Sequence, residues 1–181
     1  MRLDAGSPNR GKGPPVATTN VLAKLIEHNN WANLQIIQAC AGLNEEQLDA
    51  RARPSTQWSI RKALLHLVES QQGYLLLLTQ PLESRARTPL AFAELQRSVT
   101  ASGEGLLGLA CDESGGYLKT QIRTADGYIV EPWVVMVQAV NHATDHRRQL
   151  SGMLREQGVI PPNLDGWAYG EAVEALRSTS T

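Results

Sequence analysis

The sequence predicts an all-α fold, a four-helix bundle with a short β-hairpin before the last long helix and a short C-terminal helix. Four segments of about twenty residues or more repeat their apolar side chains with the period of a helix. Connectors rich in polar residues and proline separate them. The 181 residues, 42% of them hydrophobic, suffice for one core without disulfides. Helices with one apolar face each bury it against one another, which gives a bundle.

The composition limits which kinds of partner and which cellular compartment we expect for this protein. The net charge of −1 offers no basic field for a phosphate backbone, so we expect no nucleic-acid partner. No apolar run opens the chain, and the aliphatic run Leu75–Leu78 is too short for a bilayer. Cys40 and Cys111 lie in apolar helical patterns and are expected to be buried thiols. These features predict a cytoplasmic protein with no membrane contact.

The first residues differ in composition from the rest of the chain. Residues 1–17 are rich in Gly, Pro and Arg, which is typical of a disordered leader. Residues 18–181 are then the bundle domain.

The first helix is predicted over Thr18–Cys40, with Thr19 or Asn20 as its N-cap. Asn29 and Asn33 fall in the middle of its apolar stripe. A buried amide without a partner costs about 1–3 kcal/mol. Both amides must therefore bond to neighbouring helices or face a polar pocket.

A connector, Ala41–Gln57, follows and contains one helical turn capped by Asn44. The second helix is predicted over Ser59–Thr79, because Pro81 prevents its continuation. His66 lies on the flank of its apolar face, a position that is also common for a surface histidine.

The third helix is predicted over Thr88–Cys111, with Thr88 as N-cap and Pro89 at the first helical position. A glycine inside a helix costs about 1 kcal/mol relative to alanine. We therefore expect a bend or loose packing, or a helix that ends near Ala101 and restarts. The glycines concerned are Gly103, Gly105 and Gly108.

Residues 115–131 alternate polar and apolar side chains around an Asp126-Gly127 turn signal, which predicts a short β-hairpin. After the last long helix, Asp165–Arg177 is predicted to form a short terminal helix. This helix would bring Trp167 and Tyr169 onto the bundle.

The last long helix, Trp133–Leu154, carries the most informative pattern in the chain. His142 and His146 lie at i and i+4 within its apolar stripe, about 40° apart around the axis. Two imidazoles stacked in this way can reach one metal ion. The same spacing also occurs by chance in helices with hydrogen-bonded core histidines, and it lacks the glutamate of HExxH. A third ligand is needed to decide between these readings.

Three segments then occur in a recognisable order. They are LIEHNNWANLQIIQACAGLNEEQL (25–48), WSIRKALLHLVES (58–70) and VNHATDHRRQL (140–150). Together with DGWAY (165–169), they resemble the DinB/YfiT-like family of helical-bundle proteins over nearly the whole chain after residue 18.

The resemblance implies an up-down-down-up bundle, often dimeric, that holds a divalent metal on three histidines. The matching positions here are His66, from the His-Leu of the second helix, and the pair His142 and His146. Arg148 stands where the family often has Gly, and His28 where many members have Tyr. Neither difference removes a ligand, and His28 is kept as a candidate fourth ligand. We expect Zn or Ni, with Fe or Cu also compatible with imidazole ligands.

Residues around the expected metal can also be named. A ligating histidine needs a partner on its other ring nitrogen. Candidates for this role are Asp145, Asn29, Asn33 and Glu69, and Trp58 is expected to border the pocket.

Three functions fit this set of residues. The first is a metal-dependent enzyme acting on a small molecule. The resemblance implies a transferase that uses a low-molecular-weight thiol, whereas metal-bound hydroxide would make the protein a hydrolase. The second is a non-catalytic, stress-associated protein that binds a metal or a small ligand. The third is a structural bundle with polar core histidines. No residue is identified as catalytic, and a homodimer is expected from the resemblance.

Overall fold

Four long helices make up most of the computed structural model, which describes residues 20–51, 58–86, 88–116 and 121–176. The expected leader, residues 1–17, lies outside the described residues. The predicted fold class is confirmed. The long helices are α1 (Val21–Cys40), α3 (Ile60–Thr79), α4 (Leu95–Cys111) and α5 (Pro132–Glu156), and the short ones are α2 (Glu45–Asp49) and α6 (Gly166–Ala172).

In the bundle, α1 and α3 each pack between α4 and α5. The directions of the four helices give the up-down-down-up topology. Asn20, which caps the start of α1, donates to the carbonyl of Ala110 at the end of α4, so these two helices are antiparallel. Helix α3 runs parallel to α4 and antiparallel to α5. Along α3, Trp58 meets His146, whereas Tyr74, further on, meets the earlier residue His142.

Side-chain caps explain where several helices begin. Oxygens of Asn20, Ser59 and Asp165 accept backbone N–H groups in the first turns of α1, α3 and α6. Asn44 and Gln47 form a reciprocal capping box on α2. These starts depend on local residues. The sequence predicted those of α2, α3 and α6 to within a residue, whereas α1 begins at Val21 and not at Thr18, with the second proposed cap, Asn20.

The third long helix starts later than predicted, because Thr88 does not cap it. A 3₁₀ turn at Phe92–Glu94 precedes Leu95, the first residue of α4. The backbone N–H of Leu90 donates to Glu69 Oε1 on α3 (3.2 Å), and Leu90 and Phe92 pack against the core. These tertiary contacts prevent the segment after Thr88 from forming an α-helix.

The glycines of α4 do not interrupt it, and two of them are closely packed, whereas loose packing was one of the expectations. Helix α4 is continuous, and a Cβ built at Gly103 would lie 2.7 Å from Cγ of Asn30 on α1. At Gly105 a Cβ would lie 2.6 Å from Cδ2 of Leu75 on α3. These two glycines therefore permit close packing of three helices, whereas the space at Gly108 is open.

The terminal helix is shorter than predicted, and residues 117–120 of the predicted hairpin lie outside the described residues. The strands β1 (Ile122–Arg123) and β2 (Ile129–Val130) pair antiparallel across a turn in which Gly127 has a φ of +91°. Helix α6 ends at Ala172, five residues before Arg177. Tyr169 packs on the bundle as expected, but Trp167 is 72% exposed, so the prediction for Trp167 was wrong.

One of the two cysteines is also placed differently from the prediction. Cys40 is buried, whereas Cys111 is exposed at the end of α4. The buried stripe of α4 runs through Val99, Leu106 and Ala110, and the next residue is turned about 100° away from it. Both thiols are free. None of the helices in the described ranges combines the length and apolar character needed to cross a bilayer.

Candidate metal centre

Three histidines from two helices converge between α3 and α5. His66 is on α3, and His142 and His146 lie one turn apart on α5. Each offers one ring nitrogen, and these nitrogens all lie within 4.8 Å of one another. The Nε2 atoms of His66 and His142 are 3.2 Å apart. The two positions that the i,i+4 spacing predicted and the third that the resemblance supplied thus form one cluster of half-buried imidazoles.

The spacing of these nitrogens fits a first-row divalent ion. Zinc lies about 2.0–2.1 Å from a ligating imidazole nitrogen, so two such nitrogens in a tetrahedral site are about 3.3 Å apart. The 3.2 Å separation of the His66 and His142 nitrogens is close to this value. The donor set is also suitable, because three neutral imidazoles leave one coordination position for water or substrate.

Two aromatic rings border the cluster. The ring of Trp58, just before α3, lies 5.1 Å from that of His66 and 5.5 Å from that of His146. The ring of Tyr74 lies 5.8 Å from that of His142. Trp58 was predicted to border the pocket, and its ring lies against the rings of two cluster histidines.

The partner of His146 is Gln149, which the sequence did not identify. Gln149 Oε1 accepts a hydrogen bond from His146 Nδ1 (3.1 Å), which leaves Nε2 as the ligand atom. Asp145, one of the expected partners, is exposed, and in the described structure it forms no hydrogen bond with a cluster histidine. Burial lowers the pKa of His142, and the charge of the Asp145 carboxylate only partly offsets this effect.

The net effect of the site is to lower the pKa of His142 from its ordinary value of 6.5. Burial is the largest cause, and the neighbouring His146 and His66 add to it. A buried imidazole surrounded by other imidazoles favours the neutral form. The neutral form is the one that binds a metal ion.

The remaining predicted pocket residues lie elsewhere. His28 Nε2 donates to the carbonyl of Leu164 (2.8 Å) and its ring packs against Trp31 and Tyr169, so it is not a fourth member of the cluster. Asn29 and Asn33 are buried, and both accept from Arg147. Their side-chain oxygens therefore have a hydrogen-bond donor, but that donor is not a histidine of the cluster.

Two separate pockets on the α3 side have Ser70 in common. One, of about 380 Å³, is also lined by His66 and Glu69. The other, of about 510 Å³, is also lined by Tyr74 and Arg85. Sequence reasoning missed Ser70, Tyr74 and Arg85. The i+4 and i+8 spacing of Ser70 and Tyr74 after His66 places both close to its face and could have identified them.

Comparisons with known proteins agree with this architecture. The solved structure of YfiT from Bacillus subtilis, described as a probable metal-dependent hydrolase with an unusual four-helix bundle topology, superposes with a TM-score of 0.60. The match covers 82% of this chain and 94% of that chain at 17% identity, which shows a shared fold and no more. The search of curated proteins found no match. The sequence model of the DinB family matches residues 16–176, and the chain therefore belongs to the DinB family.

Proposed function

We propose that the protein is a metal-dependent enzyme that holds one divalent ion on His66, His142 and His146 and acts on a small molecule. The observation that carries this proposal is the convergence of three imidazole nitrogens beside a cavity. A bound ion would supply Lewis-acid chemistry, lowering the pKa of a bound water or thiol.

Residues of the two pockets beside the cluster would bind the substrate and orient it. Arg85 is held by the backbone carbonyls of Gln80 and Arg123, so its side chain provides a positioned positive charge at one end. Burial raises the pKa of Tyr74, which keeps its phenol protonated and able to donate a hydrogen bond. Trp58 and Tyr74 cover two sides of the histidine cluster and limit the access of water.

Of the two reactions, thiol-dependent transfer agrees better with these residues. A hydrolase would use metal-bound hydroxide and would benefit from a carboxylate or histidine placed as general base. Glu69 lines the cavity, but its Oε1 already accepts the backbone N–H of Leu90. A thiol has a pKa near 8.5, so a modest lowering produces the thiolate without a protein base. Hydrolysis is the second candidate, because the fold neighbour YfiT is described as a probable hydrolase.

Metal analysis tests the binding step. Purified protein reconstituted with Zn²⁺ or Ni²⁺ should hold about one equivalent, and His66→Ala, His142→Ala and His146→Ala should each lose most of it. His28→Ala is the matched control, since His28 is the fourth histidine of the chain and lies away from the cluster. Equal metal content in the wild type and all four variants would refute the proposed centre and favour a structural bundle.

Turnover is tested with a panel of cellular thiols and a chromogenic electrophile. Loss of free thiol that requires the metal and disappears in His142→Ala would support a transferase. Release of nitrophenol from nitrophenyl esters without added thiol would support a hydrolase. Stoichiometric metal binding without either reaction would favour the non-catalytic metal or ligand carrier.

The homodimer expected from the resemblance stays a proposal. Light scattering coupled to size-exclusion chromatography distinguishes a 19.8 kDa monomer from a particle of twice that mass.

A further inference from the structure

A separate cavity, of about 590 Å³, opens on the side of α5 that faces away from the histidine cluster. Arg147, Arg148 and Arg155 of α5 line it, together with His28 of α1 and Asp165, the cap of α6. At 100° per residue, the three arginines lie about 120–220° around α5 from the midpoint of His142 and His146. The two sites are therefore separate.

The deepest arginine of this cavity lacks a carboxylate partner. Arg147 is only 4% exposed. Its Nη1 donates to the side-chain oxygens of Asn29 (2.8 Å) and Asn33 (2.6 Å), and its Nη2 donates to Thr144 Oγ1 (2.9 Å). All three acceptors are neutral, and among the described residues Arg147 forms no ion pair. A buried cation without a counter-charge is unfavourable.

Hydrogen bonding around Arg147 shows an excess of donors. A guanidinium has five N–H groups, and the three bonds above use three of them. Asn29 directs its oxygen to Arg147, and its Nδ2 is buried without a hydrogen-bond partner in the described structure. A network with surplus donors and a surplus positive charge is matched by an acceptor that is also an anion.

The outer part of the cavity adds further positive charge. Arg148 and Arg155 are exposed, and within the described ranges neither forms an ion pair. The one carboxylate of the lining, Asp165, is already used, because it accepts the N–H of Ala168 at the start of α6. The cavity thus presents three guanidinium groups against one carboxylate, and its volume is in the range of small-molecule sites.

We propose that this cavity binds a small organic anion through a phosphate or carboxylate group held by Arg147, Arg148 and Arg155. Guanidinium groups bind both oxyanions through paired hydrogen bonds, which is why either group fits. Asn29, Asn33 and Thr144 then act as supports that hold the Arg147 side chain in place. This site does not depend on the metal centre.

Calorimetric titration and thermal unfolding of the full chain test the proposal, at fixed ionic strength, with phenyl phosphate and benzoate as probes. The double variant Arg148→Gln/Arg155→Gln is preferred to a change of Arg147, because both side chains are exposed and their loss should leave the fold intact. Arg123→Gln is the matched control, since it removes an exposed arginine on the hairpin. His142→Ala tests independence from the metal centre.

The expected result is saturable binding of at least one probe. Its affinity should fall roughly ten- to a hundredfold in the double variant and remain unchanged in Arg123→Gln and His142→Ala. The stronger of the two probes identifies the anionic group. Absence of binding by both probes, or equal binding by the wild type and the double variant, would overturn the proposal. Loss of binding in His142→Ala would also overturn it, because the anion would then be bound at the metal centre.

Discussion

The Nε2 atoms of His66 and His142 lie 3.2 Å apart, although 76 positions separate the two residues in the chain. The contact exists because α3 and α5 run antiparallel side by side. A metal ion at this point would join the second and the last long helix of the bundle.

Metal affinity should depend on pH in a direction set by the histidines. Because its pKa is lowered, His142 remains neutral at pH values where an ordinary imidazole begins to bind protons. We expect affinity to be level from pH 8 to about 6.5 and to fall below that, as the cluster becomes protonated. Metal titrations from pH 8 to 5 measure this. An affinity that does not change over the whole range would indicate carboxylate ligands.

Replacing Gln149 with Met should weaken metal binding and leave the fold intact. Gln149 fixes the ring of His146 through Nδ1, and loss of such a partner typically reduces metal affinity about 10–100-fold. Competition with a chromogenic chelator gives the affinity. Gln96→Met, at an exposed position of α4, is the control and should match the wild type. Equal affinities for both variants would mean that Gln149 does not orient His146.

Alanine substitutions at Gly103 and Gly108 should have opposite effects on stability. At Gly103 the new Cβ would displace the Asn30 side chain and break its hydrogen bond to the Gly103 carbonyl, so we expect a loss of about 1–3 kcal/mol. At Gly108 nothing lies within 4 Å, and alanine should stabilise the helix by about 0.5–1 kcal/mol. Urea unfolding of both variants provides the comparison. If Gly103→Ala were as stable as Gly108→Ala, the close packing of α1 against α4 would be wrong.

Arg147 and its neighbour Arg148 should differ sharply in their contribution to stability. Arg147→Met leaves the oxygens of Asn29 and Asn33 buried without a donor, which should destabilise the protein by about 2–4 kcal/mol. Arg148→Met changes an exposed side chain and should stay within about 0.5 kcal/mol of the wild type. Thermal unfolding of the two variants tests this, and similar melting temperatures would contradict the buried network.

The two thiols should react at different rates in the native protein. Cys111 is exposed and should be modified readily by an aromatic disulfide reagent. Cys40 is buried and its pKa is raised to about 12, so it should react only after unfolding. Titration with and without denaturant should therefore give one and two thiols. The Cys111→Ser variant, with no reactive thiol in the native state, identifies the residue.

Local patterns explain most of what could be predicted about the fold. The starts of α1, α2, α3 and α6 follow from capping residues a few positions away, and the four amphipathic stripes favour a bundle. The start of α4 could not be found in this way. Pro89 and Thr88 are good local start signals, but contacts of Leu90 with Glu69 on another helix overrule them.

For the candidate site, the sequence by itself determined that His142 and His146 share one helix face, because a spacing of four residues is a property of the helix alone. Only the tertiary structure brought His66 to them and placed the side chains of Asn29 and Asn33 against Arg147. The physical reason is that these contacts depend on which helices are neighbours and in which direction each runs. That arrangement is set by the packing of all four apolar faces together, and no single segment of the chain encodes it.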